Sequence, residues 1–217
     1  MQNDAEIIPI KRGVGLIGST EPRVHTPLLK GKSKADEVAD LAEKIGLPLI
    51  AWQRWVLEDL LTIKEDGTFV KKTGLILVSR QSGKTHLARM LILAHLFIWN
   101  SKNVLGMSSN RNMALDTFTH VAYTIEDNPF LKDQVRQIRL ANGQESIILK
   151  NGARYEIAAA TRAAAFNEFW SIGLIDRTGD CESFTGCSAF SFGKTSPNSR
   201  IEPRESFPVS TIVMNDN

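Results

Sequence analysis

Apolar residues recur at helical spacing early in the chain: Ala35, Val38, Leu41, Ala42 and Ile45 fall on one face. The spacing predicts a helix that opens after Ser33 as its N-cap and stops at Gly46 and Pro48. A second helix is predicted from Ala51, with Trp52, Trp55, Val56 and Leu60 on its apolar face. Asp66-Gly67 reads as a turn. Residues 74–79 are an apolar run rich in branched side chains, the pattern of a buried strand, and 86–99 follow as a helix-compatible stretch. Residues 103–108 read as a second buried strand. Residues 110–127 read as a helix with Met113, Phe118, Val121 and Ile125 inward, ended by Asn128-Pro129. Segments 138–140 and 146–149 flank Asn142-Gly143, a hairpin signal. Asn151-Gly152 is another, and 154–158 is a third strand candidate. Strands alternating with helices predict an α/β fold with a mostly parallel sheet flanked by helices.

Residues 1–32 lack periodicity and are rich in Gly, Pro, Lys and Arg, so an irregular arm is predicted. Its basic residues Lys11, Arg12, Arg23, Lys30 and Lys32, with Lys34 just beyond, read as a solvated tail. Residues 177–217 are rich in Ser, Phe, Gly and Pro and sustain neither period, so an irregular tail is predicted there too. That leaves 33–176 as the folded domain.

The junction after the first strand carries the chemistry. Leu75-Ile76-Leu77-Val78 runs into Ser79-Arg80-Gln81-Ser82-Gly83-Lys84-Thr85, and a helix begins at once. Buried strand, polar loop and helix in that order suit a nucleoside triphosphate. Backbone N–H groups and the helix N-terminus can surround phosphate oxygens, Lys84 can reach the outer phosphates, and the Thr85 hydroxyl can ligate Mg²⁺. The pattern G-x-x-x-x-G-K-[ST] would put its first glycine at position 78, where this chain has Val78. Gly83 remains beside the lysine, where backbone approach to phosphate is closest.

The chain has 217 residues, enough for one α/β domain with extensions. A net charge of +2 is too mild to argue for nucleic acid by itself. Cys181 and Cys187 lack zinc-knuckle spacing and read as free thiols in a reducing compartment. The first ten residues do not have the pattern of a secretory leader, and the apolar segment 87–99 is too short to span a bilayer. A soluble cytoplasmic protein is the expectation.

Upstream stands Leu47-Pro48-Leu49-Ile50-Ala51-Trp52-Gln53-Arg54-Trp55. A glutamine amide presents a donor and an acceptor, which suits Gln53 to an adenine edge with an aromatic neighbour. These segments, with Met-Ser-Ser-Asn after the second strand and Ala-Ala-Thr-Arg-Ala-Ala-Ala further on, resemble the ATPase domain of tailed-bacteriophage terminase large subunits. The resemblance spans about 47–165, and Arg-Gln-x-Gly-Lys-Thr is its most specific part. In that family the first glycine of the loop is often replaced and an arginine lies inside it, as with Val78 and Arg80 here.

The resemblance implies a P-loop NTPase-like fold and an ATP-driven motor that packages viral DNA into procapsids. It implies ATP and Mg²⁺ as cofactors, and double-stranded viral DNA, a small terminase subunit and a portal protein as partners of a homo-oligomeric ring. By resemblance, Gln53 is the adenine-side residue, and Arg80, Gln81, Ser82, Gly83, Lys84 and Thr85 form the phosphate loop. Arg80 would meet the γ-phosphate, and Ser108 and Ser109 would face DNA or couple to the site. Thr161 and Arg162 precede the expected metal strand, with Arg162 a candidate catalytic group. Arg111, Lys132, Arg136 and Arg139 read instead as solvated surface.

The family pattern then fails. Residues 172–176 stand where the metal strand is expected, which makes Asp176 a candidate for the Mg²⁺ shell. Arg177 occupies the place of the glutamate that orients the attacking water, so hydrolysis is expected to be weak. Ser191-Phe192-Gly193-Lys194-Thr195 imitates a phosphate loop without an apolar strand before it. No acidic cluster suits a two-metal nuclease, and that activity is not expected. Loss of motif and period near Ala165-Phe166 is read as a disrupted frame or truncated gene; a divergent domain with an inserted lid is the competing reading. The functional alternative is a non-catalytic fragment that binds nucleotide or partner subunits only.

Overall fold

The computed structural model describes residues 20–22, 24–29, 31–71, 73–78, 81–108, 111–141, 143–159, 170–174, 187–191 and 209–213. In chain order the elements are β1 (Val24–His25), α1 (Ala35–Lys44), α2 (Ala51–Leu60), β2 (Thr73–Leu77), α3 (Lys84–Phe97), β3 (Asn103–Ser108) and α4 (Arg111–Asp127). Then follow α5 (Pro129–Lys132), β4 (Val135–Arg139), β5 (Ser146–Leu149), β6 (Arg154–Ala159), β7 (Trp170–Leu174), β8 (Cys187–Ser191) and β9 (Val209–Val213). The described strands form one sheet in the order β1-β9-β2-β8-β7-β3-β6-β5-β4.

The α/β class holds, but the sheet is mixed rather than mostly parallel. Three pairings, β2–β9, β3–β6 and β3–β7, are parallel, and the other five are antiparallel. For β4–β5 and β5–β6 the physical reason is connection length. The tight turns after β4 and β5 can only return the chain antiparallel, whereas β2 to β3 is bridged by a helix. Following the pairings across the sheet, β9, β2, β7, β3 and β6 all run the same way, since β8 is antiparallel to both of its neighbours. The segments after β2, β3 and β7 therefore leave from one edge, where ligands of α/β sheets usually bind.

The C-terminal tail is not wholly irregular. β8 and β9 flank β2, the strand that carries the candidate loop. Val209, Thr211, Ile212 and Val213 are β-branched, a strand signal that the Ser- and Pro-rich flanks conceal. A strand, Cys187–Ser191, also precedes the second Gly-Lys-Thr. Because β8 is antiparallel to β2, its last residue, Ser191, stands opposite Thr73, at the edge away from the β2–α3 loop.

The helices form where the pattern places them. Ser33 sits one residue outside the expected cap: its hydroxyl accepts the Ala35 N–H at 3.2 Å, while Lys34 is the capping residue. α2 begins at Ala51 and buries Val56, Leu57 and Leu60. α3 is buried on nearly every side, from Leu87 to Leu96, and is the central helix of the core. α4 packs on α3 and on β3 and β6. It buries Phe118, Val121 and Ile125 as the pattern requires, but Ala114 and Thr117 are inward where Met113 was expected; Met113 is half-buried. Ala114 and Thr117 face the sheet, where they line a small cavity with Ala88, Gly106 and Tyr155.

Both hairpins are present, β4–β5 around Gly143 and β5–β6 around Gly152. Tyr155 of β6 is fully buried, stacked on Phe118 with ring centroids 5.7 Å apart. Its hydroxyl lies over β3 so closely that a Cβ on Gly106 would sit 2.4 Å from it. Only glycine fits there. Elsewhere Lys71 and Asp59 form a buried ion pair, and the second Asp59 oxygen accepts the Leu29 N–H at 3.2 Å, which ties the end of the N-terminal arm to α2. No helix among the described residues is long and apolar enough to cross a membrane.

Candidate functional site

Among the described residues of the loop between β2 and α3, two are left-handed and stand just before the start of the helix. Gln81 has φ of 61° and Gly83 a φ of 92°. Positive φ is easy for glycine but costs a residue with a Cβ about 1–2 kcal/mol, so the tight turn at Gln81 stores modest strain. Gly83 is the N-cap of α3, whose first two residues are Lys84 and Thr85. The N-terminal end of the α3 dipole thus opens onto the loop.

Lys84 does not extend away. Its Nζ folds back across the loop and donates to the Val78 carbonyl at 2.7 Å. Thr85 is exposed in the first turn of α3, where its hydroxyl can reach a ligand. His86 follows, with Nδ1 2.9 Å from Arg89 Nη2. Burial and then the Arg89 charge push the His86 imidazolium below its ordinary range, so at neutral pH it is uncharged.

Two residues of α2 hold the loop from outside. Trp52 Nε1 donates to the Ser82 carbonyl at 3.2 Å, and Gln53 Nε2 donates to the Gly83 carbonyl at 2.9 Å. Gln53 Oε1 accepts the Ile50 N–H at 3.1 Å, closing the first turn of α2. Gln53 is 1% exposed. An adenine edge could reach it only if it were uncovered, so the amide proposed for base recognition is engaged with backbone at both ends. Gly83 is needed twice over: for its φ, and because a Cβ there would sit 2.8 Å from Gln53 Nε2.

A second loop leaves the same edge after β3. Ser108, expected to face DNA or the site, is fully buried, and its hydroxyl has no hydrogen-bond partner among the described residues. Arg111 opens α4 and pairs with Glu145, a buried carboxylate at the foot of β5 that also accepts the Gly143 N–H at 3.4 Å. Burial pushes the Glu145 carboxyl up, but the Arg111 hydrogen bond and nearby amides outweigh it and hold the group below its ordinary range. This pair joins residues 34 apart, a distance that no sequence period marks. The Trp52 contact had a faint signal, since a buried indole N–H needs an acceptor.

The structure brings Gln53, Gln81, Ser82, Gly83, Lys84 and Thr85 together at one loop. Arg80, Ser109, Thr161, Arg162, Asp176 and Arg177 lie outside the described residues. β7, the strand before Asp176, pairs parallel with β3, and its last residue, Leu174, stands level with Ser108 at the loop-bearing edge.

No protein-family model matches this chain, and no curated protein matches it. Among solved structures it is similar to the crystal structure of the HK97 bacteriophage large terminase, at 23% identity and a TM-score of 0.48. The match covers 59% of this chain and 28% of that one, so the chain spans less than a third of that protein's length.

Proposed function

We propose that the loop between β2 and α3 binds a nucleoside triphosphate, ATP with Mg²⁺, and that the chain is the ATP-binding part of a phage terminase large subunit. The observation that carries the reading is the join at Gly83. A left-handed glycine caps α3, and the first helical residue is a lysine whose amine lies across the loop. Backbone amides at a helix start, a lysine and an adjacent threonine are the donor set that a triphosphate needs. Lys84 would exchange its Val78 carbonyl for phosphate oxygens. Thr85 would be the protein ligand of the metal, with Asp176 in its outer shell. Mg²⁺, when bound, neutralises phosphate charge. Arg80 is the proposed cation for the γ-phosphate, and Arg162 is a further candidate catalytic group.

The motor function, the ring, and contact with double-stranded viral DNA, a small terminase subunit and a portal protein are extensions of this reading. They follow from the motif resemblance. A second reading is favoured by one fact: Arg177 directly follows Asp176. A cation cannot orient the attacking water as a carboxylate does, so the chain would bind nucleotide without turning it over.

Equilibrium binding of Mg-ATP to the whole chain, followed by a turnover assay on the same preparation, tests both. Saturable binding weakened by Lys84→Ala is the expected result. Absence of binding in the wild-type chain would refute the proposal. Binding with hydrolysis supports the motor domain, and binding without it supports the non-catalytic reading.

A further inference from the structure

A phosphate loop works by turning amides toward the ligand. Each amide shares a trans peptide plane with the preceding carbonyl, which points the opposite way. There are no cis peptide bonds in the described chain. Whatever holds the carbonyls of Ser82 and Gly83 therefore also aims the N–H groups of Gly83 and Lys84.

Those two carbonyls are held by consecutive residues of one helix, Trp52 and Gln53. α2 is a firm support, because Val56, Leu57 and Leu60 are fully buried in the core below. Gln53 is fixed at both ends, by the Ile50 N–H on Oε1 and by the Gly83 carbonyl on Nε2. Exchanging its oxygen and nitrogen would set donor against donor and acceptor against acceptor, so its orientation is determined. The Gly83 carbonyl also accepts the Leu87 N–H of α3 at 3.1 Å, which links the clamp to the helix start.

We infer that Trp52 and Gln53 are positioning residues of the phosphate loop: their side-chain N–H groups draw two successive carbonyls toward α2 and turn the Gly83 and Lys84 amides away from it, toward the ligand side. The ligand in this statement rests on the nucleotide reading above. The clamp itself rests on the two hydrogen bonds from α2. It gives the Trp-Gln pair a role that needs no contact with a base. The loop is then ordered before phosphate arrives, and less entropy is lost on binding.

The test removes one donor without changing shape. Trp52 is replaced by benzothienylalanine, in which sulfur stands for the indole N–H, and in parallel by Trp52→Phe and Gln53→Met. Three quantities are read on the full chain: backbone order parameters of the Gly83 and Lys84 amides without ligand, affinity for Mg-ATP, and melting temperature. The clamp predicts order parameters falling from about 0.85 toward about 0.6, with affinity weakened roughly three- to ten-fold and an unchanged melting temperature in the benzothienylalanine chain. Unchanged order parameters in every variant overturn the clamp, whether or not ATP binds. Loss of order throughout the chain makes Trp52 a core residue only and also overturns it. A looser loop in a chain whose wild type binds no ATP upholds the clamp and refutes the nucleotide reading.

Discussion

Two strand–loop–helix crossovers leave the same edge of this sheet, and both helices begin with a cation. Lys84 opens α3 after β2, and Arg111 opens α4 after β3. A positive charge at a helix N-terminus opposes the helix dipole, so each needs a reason to be there. The two reasons differ. Arg111 meets the buried carboxylate of Glu145 and pins the β4–β5 hairpin to α4. Lys84 lies on the neutral carbonyl of Val78, within a loop whose two carbonyls are held back by α2. One cation is placed to hold the fold together, and the other, on the nucleotide reading proposed above, to meet an anion. A basic residue at a helix start is therefore informative only once its partner is known.

The sharpest way to break this contrast is to remove each cation in turn. Lys84→Met should weaken Mg-ATP binding about 10- to 150-fold, the range for a charge-assisted contact, with little change in melting temperature. Titration calorimetry beside a thermal melt reads both. Nucleotide affinity equal to wild type in Lys84→Met would remove the distinction between the two crossovers.

The second strand can be stressed independently of its cation. Gly106→Ala places a methyl where the Tyr155 hydroxyl lies, and the layer of Tyr155 and Phe118 cannot yield cheaply. A loss of about 1–3 kcal/mol in urea unfolding is expected, with Mg-ATP affinity retained in the folded fraction. Affinity falling in step with stability would mean that the β3 side contributes to the ligand site.

Arg111→Met is the counterpart of Lys84→Met and should behave in the opposite way. It strands the Glu145 carboxylate, which is 3% exposed. A fully buried pair would cost about 3–5 kcal/mol to break, but Arg111 is 38% exposed, so about 1–2 kcal/mol is expected. Mg-ATP affinity should not change. A stable Arg111→Met chain with weakened binding would assign this arginine to the ligand.

The legible parts of the fold are those written in local periods. β3 has the predicted bounds, α2 starts at Ala51, and both hairpins turn at their Asn-Gly signals. The loop was legible because Gly-Lys-Thr follows an apolar strand and precedes a helix. What was not legible depends on tertiary placement. β8 and β9 are five residues each, amid Ser- and Pro-rich sequence, and owe their place to the open sides of β2. The Arg111–Glu145 and Lys71–Asp59 pairs join distant segments. For Gln53, sequence shows the donor and acceptor of the amide but not the Gly83 carbonyl and Ile50 N–H that engage them.

The smallest effect is also the most specific to the Arg111 side. The Glu145 carboxyl is held below its ordinary range in the folded chain. A depressed carboxyl contributes stability that is complete above the unfolded value and is lost as pH falls through the folded one. Wild-type stability should therefore decline as pH drops from about 5 toward 3. Glu145→Gln, which has no proton to take up, should decline less over that window, and the two curves should run parallel above it. Arg111→Met should shrink or reverse that difference, because its hydrogen bond is the largest of the contacts that outweigh burial. If the wild-type and Glu145→Gln profiles are parallel at every pH, Arg111 does not stabilise a charged partner. The cation at the start of α4 would then need another explanation.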